Sequence, residues 1–491
     1  MADNLLDKAS ILLTPTAYND GSMLSVKPEN GDGDFDFTRG SAATRVNAQG
    51  LVENVQIISS ELVSNGNFSQ GSQDWSLGNK WSIGENSAIR VPNSTSNLSQ
   101  VISGISGKTI KVSYEVSNYV AGDIGASADG NNYNANNGNG TFVDYITPDS
   151  DNLYIRGSYS FEGSISNISV KEITDDTNIP RIDYTDGCGS WLLEPQSTNL
   201  ITYSEDFSNA AWTKNGGATV ENSYSSPDGG SNAYKINLIN SSSQVGTTAI
   251  SLDTSKEYTF SVWLRTESGT LNVDLGNVQS GIYETVNVTD EWVRYNITQT
   301  PSATTRYPNI DYNQSGSVLA WGAQLEQQSY ATSYIPTQGA ISTRLADAAG
   351  GSGNSTLINS TEGVLYLEIA KADVNANEGG VYLSKDSNNE IRLNFATNNR
   401  LNLFVNVGGV NQVYMDNASF TLSDYNKIAI KYKINDYSVY INGTKVYTDT
   451  SALVPSNLDE LKFNNFYGNT KALAVFKEAL TDAELQSLTT I

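Results

Sequence analysis

Lys256-Glu-Tyr-Thr-Phe-Ser-Val-Trp-Leu264 alternates apolar and polar side chains with a period of two, the pattern of a half-buried strand. Tyr258, Phe260, Val262 and Leu264 fall on one face, and Thr259, Ser261, Trp263 and Arg265 on the other. Lys108-Thr-Ile-Lys-Val-Ser-Tyr-Glu-Val116 carries the same alternation earlier in the chain, through Ile110, Val112, Tyr114 and Val116. Each stretch follows a phenylalanine–tryptophan pair, Phe68 with Trp75 and Phe207 with Trp212. Each precedes another apolar segment, Ile165–Glu172 and Val318–Glu326. The period is roughly 140–150 residues, too long for a solenoid unit and right for a duplicated domain.

Outward from these blocks the chain reads as all-β. An extended arm occupies residues 1–60, with turn material at Pro15, Pro28 and Asn30-Gly-Asp-Gly-Asp34. The first antiparallel β-sandwich, of jelly-roll type, is expected over 61–174. A connector at 175–200 is expected to pair with the arm. A second such sandwich spans 201–337, and a Gly-rich linker 338–358. A third sandwich of different pattern fills 359–491. There Asn442-Gly443 separates two apolar runs as a hairpin turn would. Thr481 and Glu484 form a capping box for a closing helix, stapled by Leu480 and Leu485.

Composition narrows the function. The 491 residues carry a formal net charge of −24, which disfavours nucleic-acid and membrane-surface binding. One cysteine, Cys188, excludes an intrachain disulfide, and the absence of histidine removes the Ser-His-Asp arrangement and any His-ligated zinc. Carboxylate-pair hydrolysis stays open. The start, Met1-Ala-Asp-Asn-Leu-Leu-Asp7, has neither a basic region nor a long apolar run, so no signal peptide or membrane span is expected.

Several blocks resemble known proteins. Asp36-Phe-Thr-Arg-Gly-Ser-Ala-Ala-Thr-Arg-Val-Asn-Ala-Gln-Gly-Leu-Val-Glu53 resembles an N-terminal segment of bacteriophage tail- and fibre-type virion proteins, especially of phages infecting Bacteroidetes. Pro180-Arg-Ile-Asp-Tyr184 with Leu193-Glu-Pro-Gln-Ser-Thr-Asn-Leu200 resembles the segment that usually follows soon after. Ala331-Thr-Ser-Tyr-Ile-Pro336 with Thr343-Arg-Leu-Ala-Asp347 resembles the exit from the next sandwich. Here the first two blocks are separated by 61–174, so the first sandwich looks like an insertion into the arm. The two repeats resemble jelly-roll carbohydrate-binding modules. The last domain resembles the laminin-G or concanavalin A-like sandwich, down to Val439-Tyr-Ile-Asn-Gly443 and Ala479-Leu-Thr-Asp-Ala-Glu-Leu485. Together the resemblances imply a non-enzymatic protein on the surface of a phage particle. It would attach to other virion proteins through the arm and bind bacterial surface polysaccharide. By analogy to phage fibres it would form a homo-oligomer, with a trimer favoured, and related folds often hold structural calcium. The rivals are a virion glycan hydrolase or lyase working with carboxylates of the last sandwich, and a purely structural capsid or tail protein. Fold alone does not decide among them.

Few residues stand out as ligand-binding candidates. If Tyr258, Phe260, Val262 and Leu264 face the core, Trp263 and Arg265 lie opposite. There an indole could stack on a sugar ring and the guanidinium could bond hydroxyls or a sugar carboxylate. The competing expectation is that a neighbouring domain or subunit covers that face. Trp321, in an apolar stretch, is expected in the core. Tyr133, in the Gly/Asn-rich loop from Asp129 to Gly140, is a candidate recognition residue, set against a plain flexible connection. Asp32, Asp34 and Asp36 have calcium-loop spacing, but Phe37 and Ala43 replace the required glycine and glutamate, which favours an acidic turn.

Overall fold

The structure is a computed structural model that describes residues 5–276, 278–374, 379–418 and 420–491. The first four residues of the expected arm lie outside the described residues. The chain forms two compact units. One comprises the residues up to Val55, Thr177–Ser197 and Arg344–Ile491, and the other Gln56–Asp176 and Thr198–Thr343. Among the described residues, apart from a helical turn at Leu5 and Leu6 and the closing helix Asp482–Thr489, the regular elements are strands, and every named strand pair is antiparallel.

The second unit holds the duplicated blocks. In its first sandwich Ile110–Ala121 lies between Gly140–Ile146 and Glu162–Asp175, facing a four-stranded sheet. In its second, Tyr258–Arg265 lies between Val293–Gln299 and Gly316–Glu326, in one of two five-stranded sheets. The two repeats therefore share this strand neighbourhood as well as their sequence texture. Phe68 packs on Trp75 at 5.3 Å between ring centroids and Phe207 on Trp212 at 4.6 Å. Each indole N–H donates to a backbone carbonyl, Trp75 to Asn65 and Trp212 to Tyr203.

The other unit is built on a third sandwich. Its eight-stranded sheet runs Arg181–Asp183, Ser190–Leu193, Gly468–Phe476, Glu362–Lys371, Asn426–Lys433, Tyr437–Ile441, Thr444–Asp449, with Ile11–Leu13 also beside Gly468–Phe476. A five-stranded sheet faces it, in the order Val410–Asn417, Arg400–Val407, Asn389–Ala396, Gly380–Asp386, Glu460–Asn464. The closing helix has the capping box its sequence suggests, with Thr481 and Glu484 bonded reciprocally. It seals the outer side of the eight-stranded sheet with Leu485 and Leu488.

Two segments take on more structure than their sequence suggests. The arm has no core of its own: Ile11, Leu13, Met23, Phe35 and Phe37 enter the core of the third sandwich. Their burial, at roughly 1.5–3 kcal/mol for each large side chain, outweighs leaving the segment extended in water. The expected linker 338–358 is likewise ordered, since Ala348–Gly350 pairs with Phe35–Thr38. Gly353, at φ +88°, makes a fixed turn here rather than a flexible one. A Cβ there would sit 2.8 Å from Ile11 Cδ1.

The arm and connector also meet through charge. Arg39 donates to Asp347 (3.1 Å) and to the Ile179 carbonyl (3.0 Å). Arg181 donates to Glu194 (2.6 Å), Asp347 and the Thr44 carbonyl. Arg344 lies 3.4 Å from Glu194 and donates to the Pro195 carbonyl. All five side chains are buried. These residues belong to the blocks Asp36–Glu53, Pro180–Leu200 and Ala331–Asp347. Three separated segments share one desolvated ion network, and losing any member would strand a charge.

Candidate glycan-binding surfaces

Trp263 is only 9% exposed. Sheet parity does turn it away from the sandwich core, as the alternation implies, but its own chain covers it. Arg294 lies 4.4 Å from its ring centroid, held by the Thr332 carbonyl and the Ser261 hydroxyl. Trp321 and Tyr334 meet it edge-on at 5.3 and 5.5 Å. This corrects the picture of an open indole platform: the strap that includes Thr332 and Tyr334 fills the space a sugar would need. Trp321 is buried in the same cluster, outside the core between the sheets. Arg265 is not beside a usable Trp263 face; its guanidinium lies 5.7 Å from the Trp292 ring.

The strap is held by Glu205. Tyr334 OH donates to one carboxyl oxygen (2.9 Å) and Asn232 to the other (2.8 Å), while Trp321 Nε1 donates to Asn232 (3.1 Å). Burial, with Asp228 nearby, pushes the Glu205 carboxyl up to about 7, against the opposing pull of its two donors.

Tyr133 belongs to the other sandwich of this unit and is half-buried. Its loop is no loose connection. Asp144 anchors it from below, accepting from Asn134 (3.2 Å), Asn136 (3.1 Å), Tyr114 (3.0 Å) and the Ala126 N–H (2.8 Å). Burial raises the Asp144 carboxyl although all four donors favour its charge. Tyr133 is therefore presented on a fixed loop, in a different sandwich from Trp263 and Arg265. Asp32, Asp34 and Asp36 do not converge either: Asp34 is turned to Ser25, bonding its N–H and hydroxyl. Among the described residues no group of three or more His, Cys, Asp or Glu side chains is arranged to hold a metal.

The open features lie elsewhere. In the second sandwich an open cleft of about 620 Å³ is lined by Glu257, Gln279, Tyr283, Thr298, Gln299 and Ser302 over Ile282, Ile297 and Pro301. That volume is within the common range for ligand pockets. Tyr283, 39% exposed, stands at its border. From the cleft a row crosses the sheet: Tyr283, Gly276, Asn309 and Gly246 are successive cross-strand partners. The parallel row is Thr285, Asp274, Asp311 and Gln244. Asn309 donates to Gln244 (2.5 Å) and is buried, yet its Oδ1 has no donor. Burial raises the Asp311 carboxyl, Tyr312 N–H and Tyr283 oppose this, and Asp274 adds to it. The surface can thus offer one aromatic ring and the half-buried carboxylates of Asp274 and Asp311.

The five-stranded sheet of the third sandwich also presents an aromatic row. Arg392, Phe404 and Tyr414 are cross-strand neighbours. The Arg392 guanidinium is 4.9 Å from the Phe404 ring centroid, and the two rings are 5.1 Å apart. Parity would have found these residues: Leu401, Leu403 and Val405 point inward, leaving Phe404 as an aromatic on the polar side. Tyr283 carries a weaker signal, because its strand begins beside a turn that alternation alone does not place.

No known family matches the chain, and no curated protein does. Solved structures similar to it are carbohydrate-binding modules and glycoside-hydrolase domains. Domain 4 of AbnA, a GH43 extracellular arabinanase from Geobacillus stearothermophilus, in complex with arabinotriose, is 15% identical, covers 33% of this chain and 84% of its own, and has a TM-score of 0.26. The CBM40 of the Ruminococcus gnavus IT-sialidase, bound to α2,3 sialyllactose, is 18% identical over 29% of this chain and 88% of its own, at 0.25. The CBM22-1–CBM22-2 tandem of Paenibacillus barcinonensis Xyn10C is 11% identical over 55% and 98%, at 0.21. Likenesses this remote carry no functional weight, and the sandwich architecture rests on this chain's own strand pairing.

Proposed function

We propose that this is a non-enzymatic glycan-binding protein of a bacteriophage particle, adsorbing to bacterial surface polysaccharide through the cleft and sheet row of its second sandwich. The observation that carries the binding site is Tyr283 standing between a cleft of about 620 Å³ and the carboxylates of Asp311 and Asp274. Aromatic faces take the apolar side of a pyranose, and amides and carboxylates take its hydroxyls. The placement on a phage draws its support from the blocks Asp36–Glu53, Pro180–Leu200 and Ala331–Asp347 alone. Other virion proteins would be contacted through the N-terminal arm, in a homotrimer that light scattering would detect.

Affinity electrophoresis through gels holding purified capsular polysaccharides of Bacteroidetes tests the reading. Retardation of the whole chain is expected, with Tyr283→Ala losing it at unchanged melting temperature. Equal retardation of that variant would place the site elsewhere. Release of reducing ends from the same polymers would favour the hydrolase or lyase instead.

A further inference from the structure

We propose a second binding face, independent of the Tyr283 cleft. The outward side of the five-stranded sheet in the third sandwich takes an uncharged, hydroxyl-rich polysaccharide laid across its strands. Tyr414 is 52% exposed and packs against the half-buried Phe404, whose ring also meets Arg392. The open Tyr414 ring can take the apolar face of a sugar, and Phe404 beside it extends the apolar surface to the next strand.

The charge pattern selects the occupant. The chain is strongly acidic, yet among the described residues three pairs of opposite charge lie on this face. Arg400 forms a two-pronged pair with Asp416, Arg392 lies 3.3 Å from Glu390, and Lys462 lies 2.5 Å from Glu460. An anionic or cationic polymer would have to break one of these pairs. What remains for a ligand is aromatic surface and amides. Asn411 donates to Asn406, which donates to Glu390, along one side of the rings. A sugar hydroxyl, donor and acceptor at once, matches such groups where an ion does not.

The test uses the whole chain in a Tyr283→Ala background, which removes the first site and keeps the two proposals separable. The probes are neutral xylan, mannan and dextran, with polygalacturonate as the anionic comparison, each cast in native gels. At least one neutral polymer should retard the protein. Tyr414→Ala should weaken that interaction by about two- to tenfold, the value of one aromatic stack, and Tyr414→Phe should preserve it. Tyr414 is exposed, so an unchanged melting curve checks the fold. Retardation by polygalacturonate only, by none of the polymers, or equally with and without Tyr414 would overturn the proposal.

Discussion

Trp263 shows how far one residue's environment can depart from its strand pattern. Alternation turns its ring away from the core, but the strand is buried on both sides because Arg294, Trp321 and Tyr334 close over it. The covering tyrosine lies about seventy positions downstream, beyond the reach of local periodicity. Truncating a large buried aromatic costs about 3–5 kcal/mol, so Trp263→Ala should unfold the second sandwich at clearly lower denaturant. A variant with wild-type stability would show the indole to be open after all. Glu205 beneath the same strap gives a pH signature. The folded chain holds its proton up to about pH 7, against 4.5 for the ordinary group. Its contribution is therefore fully present below 4.5 and is lost as pH rises through 7. The wild-type melting temperature should fall across that window relative to Glu205→Gln, which has no proton to lose. Parallel curves for the two proteins would remove Glu205 from the account.

At the level of elements, the strands were legible and their partners were not. Tyr258–Arg265, Ile110–Ala121 and the Asn442-Gly443 hairpin follow from period and turn chemistry. The arm and the Gly-rich segment before residue 358 read as connections because each is short of apolar residues taken alone. Only together, through Ile11, Phe35, Phe37 and Ala349, do they complete a core. Arg39, Arg181, Glu194, Arg344 and Asp347 were recognisable as parts of familiar blocks, but nothing local says that they meet. Asp347 is the hub, accepting from Arg39, Arg181 and the Glu194 N–H. Asp347→Asn should therefore destabilise the unit built on the third sandwich by about 3–5 kcal/mol, since it leaves buried guanidinium groups uncompensated. Denaturant unfolding followed in that unit reads this directly, and a shift below about 1 kcal/mol would reduce the network to ordinary surface ion pairs.

The whole molecule is two units built from interleaved segments. The residues singled out by sequence, Trp263, Arg265 and Tyr133, fall in two sandwiches and form no common site. The cleft emerges only from register, which sets Tyr283 beside Asn309 across two strands. Hydrogen exchange of the intact chain, with and without a capsular polysaccharide that retards it, shows whether this cleft holds the glycan. Binding there slows exchange over 279–285, 297–302 and 309–312, and leaves the surroundings of Trp263 unchanged. Protection centred on Trp263 or the Tyr133 loop, with the cleft exchanging as freely as before, would contradict it.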